Sequence, residues 1–258
     1  MSRLSDKIVF ITGASSGIGK ACADAFAQRG ANLILTARRF SIIKKLSQSL
    51  KKKYKIKTFI AHLDVRNKEE VKKIVFSLPK EWKKIDILIN NAGLARGFSD
   101  IDEGEIEDWD EMMDTNVKGL LYISREILPL MVKRKRGHII NIGSIAGHFV
   151  YPKGNVYNAS KFAVNAITRA MRLDLYEKEI KISTVDPGMV ETDFSKVRFR
   201  GNKEKAKKVY EGMKPLTAED IADAVLYCAT RPLHINIDEI MMTPTAQASA
   251  IHVKRKTK

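Results

Sequence analysis

Short apolar runs rich in β-branched residues alternate along this chain with longer stretches that mix apolar and polar positions. The first run, residues 8–11 of "KIVFITGASSGIG", has the length and composition of a buried parallel strand. A glycine-rich turn and a helix over about 17–29 follow, and Gly30 ends the helix. Strands are expected at "NLILTA", "KTFIAHLDV", "IDILINNAG", "GHIINIGS", "IKISTVDPG" and "HINIDEIMMTP". Helices are expected over about 41–52, 68–77, 106–132 and 155–178. Another follows Thr217, an N-cap with Asp220 three residues on. Strict alternation of strand and helix specifies a parallel sheet covered on both faces, with right-handed crossovers. The expected fold is therefore α/β: a single-domain Rossmann fold with a doubly wound, seven-stranded parallel sheet flanked by helices. No repeat or linker divides the chain. We take 1–248 as the domain, 194–215 within it as a charged lid over the site, and 249–258 as a basic tail.

Composition adds exclusions. The chain has 258 residues, 44% of them hydrophobic, enough for one sizeable core. Its two cysteines, Cys22 and Cys228, stand far apart and lack metal-ligand spacing, so neither a disulfide framework nor a metal site is expected. No apolar run reaches membrane-spanning length, and the N-terminus reads directly into a strand, without the pattern of a signal peptide. These features point to the cytoplasm. The net charge of +16 raises nucleic-acid binding. Its basic runs are scattered and carry no aromatic-rich basic motif, which favours solvated helix faces and a frayed tail instead.

Candidate chemistry begins at the glycine turn. Gly13, Gly17 and Gly19 lie between a strand and a helix, where the backbone can approach a pyrophosphate at a positive helix end. Ser15, Ser16 and Ile18 belong to the same turn. The second strand ends "LTARRF", with no carboxylate to repel a 2′-phosphate and two arginines to bind it. One such charge-assisted bond is worth about 1.5–3 kcal/mol, a preference for NADP of about 10- to 150-fold. Arg38 is the first candidate, and Arg39 is expected to point outward.

"YNASK" places Tyr157 and Lys161 one helical turn apart on one face. For a phenol to act near neutral pH its pKa must fall by about three units, or about 4 kcal/mol. One cation about 4 Å away supplies that at an effective dielectric of 20. Ser144 and the "NNAG" stretch sit at strand ends on the same sheet edge, and Asn116 is a polar residue inside a long helix.

Taken together, "TGASSGIG", "NNAG", Asn116, Ser144, "YNASK" and "DPGMVETDF" resemble the short-chain dehydrogenase/reductase family over nearly the whole chain. The resemblance implies that Tyr157 is the general acid/base. Lys161 would hold the nicotinamide ribose and lower the tyrosine pKa. Ser144 would bond the substrate oxygen, and Asn116 would place a water in a relay to Lys161. It further implies that Asp64 and Val65 meet adenine. Asn90, Ala92 and Gly93 would line the adenosine ribose. Pro187, Gly188, Val190 and Thr192 would form the carboxamide site. Further stretches such as "FSKVRFRGN" and "INIDEIMM" are similar to the NADP-dependent 3-hydroxy acid dehydrogenases. These oxidise the β-hydroxyl of small acids such as L-serine, L-allo-threonine or 3-hydroxypropionate and form homotetramers. The substrate carboxylate needs a cation. Arg198 is the candidate, with Arg200 and Lys153 behind it. A 3-ketoacyl thioester reductase, a coenzyme-sensing binding protein and a nucleic-acid binder are the rival readings.

Overall fold

The computed structural model describes residues 4–256. Seven parallel strands form one sheet in the order β3-β2-β1-β4-β5-β6-β7. They are β1 (Ile8–Thr12), β2 (Asn32–Ala37), β3 (Thr58–His62), β4 (Ile85–Asn90), β5 (Gly137–Ile142), β6 (Ile180–Pro187) and β7 (Glu239–Met242). The strand order reverses between β1 and β4. That is the crevice where open α/β sheets bind ligands, and every strand's C-terminal end faces it.

The pleat divides the core. In β1, Val9 and Ile11 pack to one side with Leu33 and Leu35 of β2, while Phe10 packs to the other with Ile34. The first face is covered by α1 (Gly17–Gln28), α2 (Phe40–Tyr54) and α9 (Ala218–Thr230), the second by α3 (Lys68–Ser77), α5 (Gly119–Val132) and α6 (Asn155–Leu175). Strands buried on both sides explain why the runs read as continuously apolar rather than alternating. Thr217 and Asp220 form the expected cap, each side chain bonded to the other's backbone N–H.

Three elements differ from expectation. The helix over 106–132 is not uniform: α4 (Ile106–Met113) and α5 are joined by a π-helical turn at Asp114–Lys118. The lid contains two short helices, α7 (Phe194–Arg198) and α8 (Lys203–Lys208), the second capped by the Asn202 side chain. The tail expected to fray is tied down over its described part. Lys254 N donates to Ala246 O and Lys256 N to Gly212 O, both at 2.8 Å, and Arg255 Nη2 donates to Val209 O at 2.9 Å.

Candidate active site

The crevice opens into a cavity of about 710 Å³, within the usual range for ligand clefts. Its floor starts at the glycine turn, where Gly13 (φ 66°) and Gly17 (φ 50°) occupy the left-handed region that side chains disfavour. Gly19 lets α1 close against the turn, since a methyl there would collide with the Gly13 carbonyl. Gly13, Ser15, Ser16, Gly17 and Ile18 line the cavity; Gly19 packs behind them. Ser16 caps α1 without a side-chain hydrogen bond, which leaves the helix N-terminus to an anion. The Thr12 hydroxyl accepts from Asn91 N (3.0 Å) and Ala92 N (2.9 Å), fastening the β4 end to the β1 end.

Arg38 and Arg39 both reach this end of the cavity. Arg39 does not point outward. Its Nη2 donates to Ser16 Oγ at 2.6 Å and Ser15 Oγ at 2.9 Å, folding the guanidinium over the turn. The β2 end lacks a carboxylate in sequence, yet α4 brings Glu111 within 3.5 Å of Arg38 Nη1. Asp64 and Val65 line the cavity, but both Asp64 carboxylate oxygens accept from Arg66 Nε and Nη2. Burial alone would raise the Asp64 carboxyl; the Arg66 bonds and charge outweigh it and hold it below the ordinary range.

Ala92 and Gly93 lie on the wall, but Asn90 does not. Its amide donates to Ser124 Oγ (3.0 Å) and Asn141 Oδ1 (2.9 Å), inside the protein. At the last residue of a strand, side-chain direction follows the pleat, and that turns Asn90 away from the crevice. Its neighbour Asn91 faces the cavity instead.

Ser144, Tyr157 and Lys161 converge at the cavity's middle. Tyr157 lies in the first turn of α6 and its hydroxyl bonds Ser144. Lys161 Nζ donates to Ile142 O at 3.0 Å and lies 6.0 Å from the Tyr157 ring centroid. Burial pushes the Lys161 ammonium down to about 8, opposed by the Asp186 carboxylate. Burial also raises the Tyr157 phenol above its ordinary value, with Tyr151 adding to the rise. The Ser144 hydrogen bond and the Arg198 guanidinium pull it down. The opposing influences are the Ser144 hydrogen bond and then Arg198, whose Cζ is 5.7 Å from the Tyr157 ring centroid, and burial outweighs both. Lys161 itself is drawn to the end of β5.

Asn116 stands at the centre of the π-helical turn, behind the wall. Its amide clamps Leu94 at both backbone groups, accepting from N and donating to O at 2.8 Å each, and donates to Ser160 Oγ at 3.0 Å. At β6, His148 Nε2 lies 2.9 Å from Asp186 Oδ2 and 3.7 Å from Glu239, which also pairs with Arg169.

Pro187, Gly188, Val190 and Thr192 line the far wall, leading into the lid. Arg198 on α7 reaches back across the cavity. Its Nε donates to Gly97 O (3.0 Å) and Nη1 to the Tyr151 hydroxyl (2.9 Å). Among the described residues no carboxylate lies within ion-pair distance of it. Arg200 and Lys153 do not back it up: Arg200 pairs with Asp108 at 2.8 Å and Lys153 with Asp100 at 3.3 Å. The sequence reading missed the aromatic frame around Arg198, which is Phe98 (4.8 Å), Tyr151 (5.6 Å) and Tyr157. Only the folded chain brings Phe98 and Tyr151 to the lid. It also missed Gln247, which accepts from Met189 N at 2.8 Å on the cavity wall.

The short chain dehydrogenase family profile matches residues 7–203. The chain belongs to this family. It is 45% identical over 244 residues to the NADP-dependent 3-hydroxy acid dehydrogenase YdfG of Salmonella typhi, covering 94% of this chain and 97% of that one. It is 44% identical to the NADP-dependent 3-hydroxy acid dehydrogenase of Schizosaccharomyces pombe, over 99% of both. Among solved structures, the closed form of a serine dehydrogenase complexed with NADP+ superposes with a TM-score of 0.89. The identity is 43%, over 96% of this short chain dehydrogenase and all of that chain.

Proposed function

We propose that this short chain dehydrogenase interconverts small 3-hydroxy acids, such as L-serine, L-allo-threonine or 3-hydroxypropionate, and their 3-oxo forms, with NADP as coenzyme. The observation that carries the reading is Arg198. Among the described residues it is a cation without a carboxylate partner, fixed by two hydrogen bonds and set among the rings of Phe98, Tyr151 and Tyr157. A carboxylate placed on its free edge would put a hydroxyl two carbons away near the phenol and Ser144. The residues fit the coenzyme: a helix N-terminus at the glycine turn and two arginines for a 2′-phosphate lie at one end, with Lys161 at the other. The relatives' names support the same reading.

In the oxidising direction, Ser144 holds the substrate oxygen and Tyr157 takes its proton as the carbonyl forms. NADP, when bound, supplies the acceptor for the hydride leaving C3. Arg198 orients the acid and stabilises the tyrosinate, and the Lys161 ammonium adds a second positive charge. Asn116 supports the wall and the approach to Lys161. Exposed Leu121, Phe162 and Leu173 on α5 and α6 fit a homotetramer in which these helices meet. The buried free thiols of Cys22 and Cys228 fit the reducing cytoplasm.

A panel of L-serine, L-allo-threonine and 3-hydroxypropionate, each with NADP or NAD, and a 3-oxoacyl thioester with NADPH or NADH tests the reading by nicotinamide absorbance. Fastest turnover on a free hydroxy acid with NADP is expected; fastest turnover on the thioester would favour the rival reductase. Tyr157→Phe should lower kcat at least about 100-fold and leave coenzyme affinity nearly unchanged, which a binding titration reads.

A further inference from the structure

Glu111 belongs to α4 but acts at the end of β2. One of its oxygens lies 3.5 Å from Arg38 Nη1 and 3.3 Å from Arg66 Nη1; the other accepts from Arg96 Nε at 2.6 Å. Burial would raise its carboxyl, but the Arg96 hydrogen bond and the charges of Arg96, Arg66 and Arg38 outweigh that and hold it below the ordinary carboxylate range. Glu111 is therefore a fixed negative charge at neutral pH.

The three pairings are unequal. Arg96 and Arg66 hold Glu111 within hydrogen-bond reach. Arg38 stands just beyond it, and its side chain is 50% exposed where that of Glu111 is 18% exposed. Arg38 is thus attracted but not fixed, while Glu111 cannot follow it. Arg38 lines the cavity and Glu111 lies behind it.

We propose that Glu111 is a specificity-determining residue for the coenzyme. It competes with a 2′-phosphate for Arg38 and so holds back the preference for NADP over NAD. A 2′-phosphate binding Arg38 must draw the guanidinium from Glu111 and place about two negative charges near a third. A 2′-hydroxyl meets no such opposition. Asp64 also acts on Arg38, but among the described residues Glu111 is the carboxylate within ion-pair distance of its guanidinium and so the one in direct competition.

The proposal rests on the coenzyme reading above, and two coenzyme fragments keep the two apart. Binding of 2′,5′-ADP and 5′-AMP is measured by titration calorimetry on the full chain and on Glu111→Gln and Glu111→Asp. If the unaltered protein does not bind 2′,5′-ADP more tightly than 5′-AMP, the NADP reading fails and the proposal falls with it. If it does, Glu111→Gln should raise the affinity ratio by about 3- to 10-fold, the scale of one charge removed near a dianion. Affinity for 5′-AMP should stay unchanged, and the gain should shrink as salt is raised. Glu111→Asp, which keeps the charge, should keep the original ratio. A ratio that is unchanged or lower in Glu111→Gln overturns the proposal, as does parallel weakening of both fragments, the mark of a purely structural residue.

Discussion

Arg198 serves two purposes from one position. In the proposed reading it presents a cation to an acid, and it pulls down the phenol pKa that burial raises. Its loss should therefore be read twice. Arg198→Ala should raise KM for a hydroxy acid by about 10- to 150-fold, the value of one charge-assisted bond. It should also move the limb of the kcat pH profile that reports Tyr157 toward higher pH, because the tyrosinate loses a stabilising charge. An unchanged KM would end the carboxylate assignment. Another residue-scale prediction concerns His138, buried in β5 with Nε2 2.8 Å from Ser183 Oγ. Ser183 gives its own proton to Ile237 O, so Nε2 carries the imidazole proton and donates. Burial, aided by the Lys181 charge, lowers the His138 pKa from the usual 6.5 to about 3. The unfolded chain then takes up a proton as pH falls through 6.5, whereas the native state waits until about 3. Stability contributed by neutral His138 is complete above 6.5 and is lost across that window. The difference amounts to about 5 kcal/mol at the acid end. Denaturant midpoints measured from neutral to acid pH should fall less steeply for His138→Gln than for the parent chain.

At the scale of elements, the π-helical turn at Asp114–Lys118 exists for the sake of Asn116. One extra residue in the turn swings its amide onto the loop after β4, where it pairs both backbone groups of buried Leu94. Asn116→Ala leaves that N–H and C=O without side-chain partners, at a cost of about 2–4 kcal/mol in urea unfolding. A loss under about 1 kcal/mol would show that water replaces the clamp. The sequence announced this residue as a polar oddity inside a long helix and, through the family resemblance, as part of a relay to Lys161. It could not show the turn, because helical periodicity barely registers one inserted residue. The strands and their alternation with helices were legible because parallel strands buried on both faces leave unmistakable apolar runs. The glycine turn, Ser144, Tyr157 and Lys161 were legible because each sits at a strand end or helix start that local pattern reveals. Asn90 was misplaced because the pleat, not the motif, decides which of two adjacent asparagines faces the crevice. Glu111 and the aromatic frame of Arg198 were invisible because each meets its partners across many residues of sequence.

For the molecule as a whole, the C-terminal segment is joined to the same machinery. Residues 246–256 run from the wall that carries Gln247 to the lid, and the lid's second half is bonded to them. Arg255 donates to the Val209 and Glu211 carbonyls, and Lys256 N donates to Gly212 O. On the other side, the Tyr210 hydroxyl donates to Val190 O at 2.8 Å, and Arg96 Nη1 donates to Val197 O at 2.9 Å. Together with the Arg198 and Arg200 contacts, the lid is held at several places, and the C-terminal strap bonds it at exposed positions. Each exposed bond contributes at the low end of about 0.5–1.5 kcal/mol, and together they shift a lid equilibrium rather than the fold. A chain ending at Ala248 keeps Gln247 but loses the strap, together with the cavity-lining Ala250 and Arg255. Its coenzyme affinity should stay within about twofold of the parent, while KM for the hydroxy acid rises about tenfold, equivalent to about 1.4 kcal/mol of lost lid order. Thermal unfolding should move little, since none of the strap belongs to either core cluster. Equal loss of coenzyme and substrate affinity would mean that the strap supports the sheet edge and not the lid.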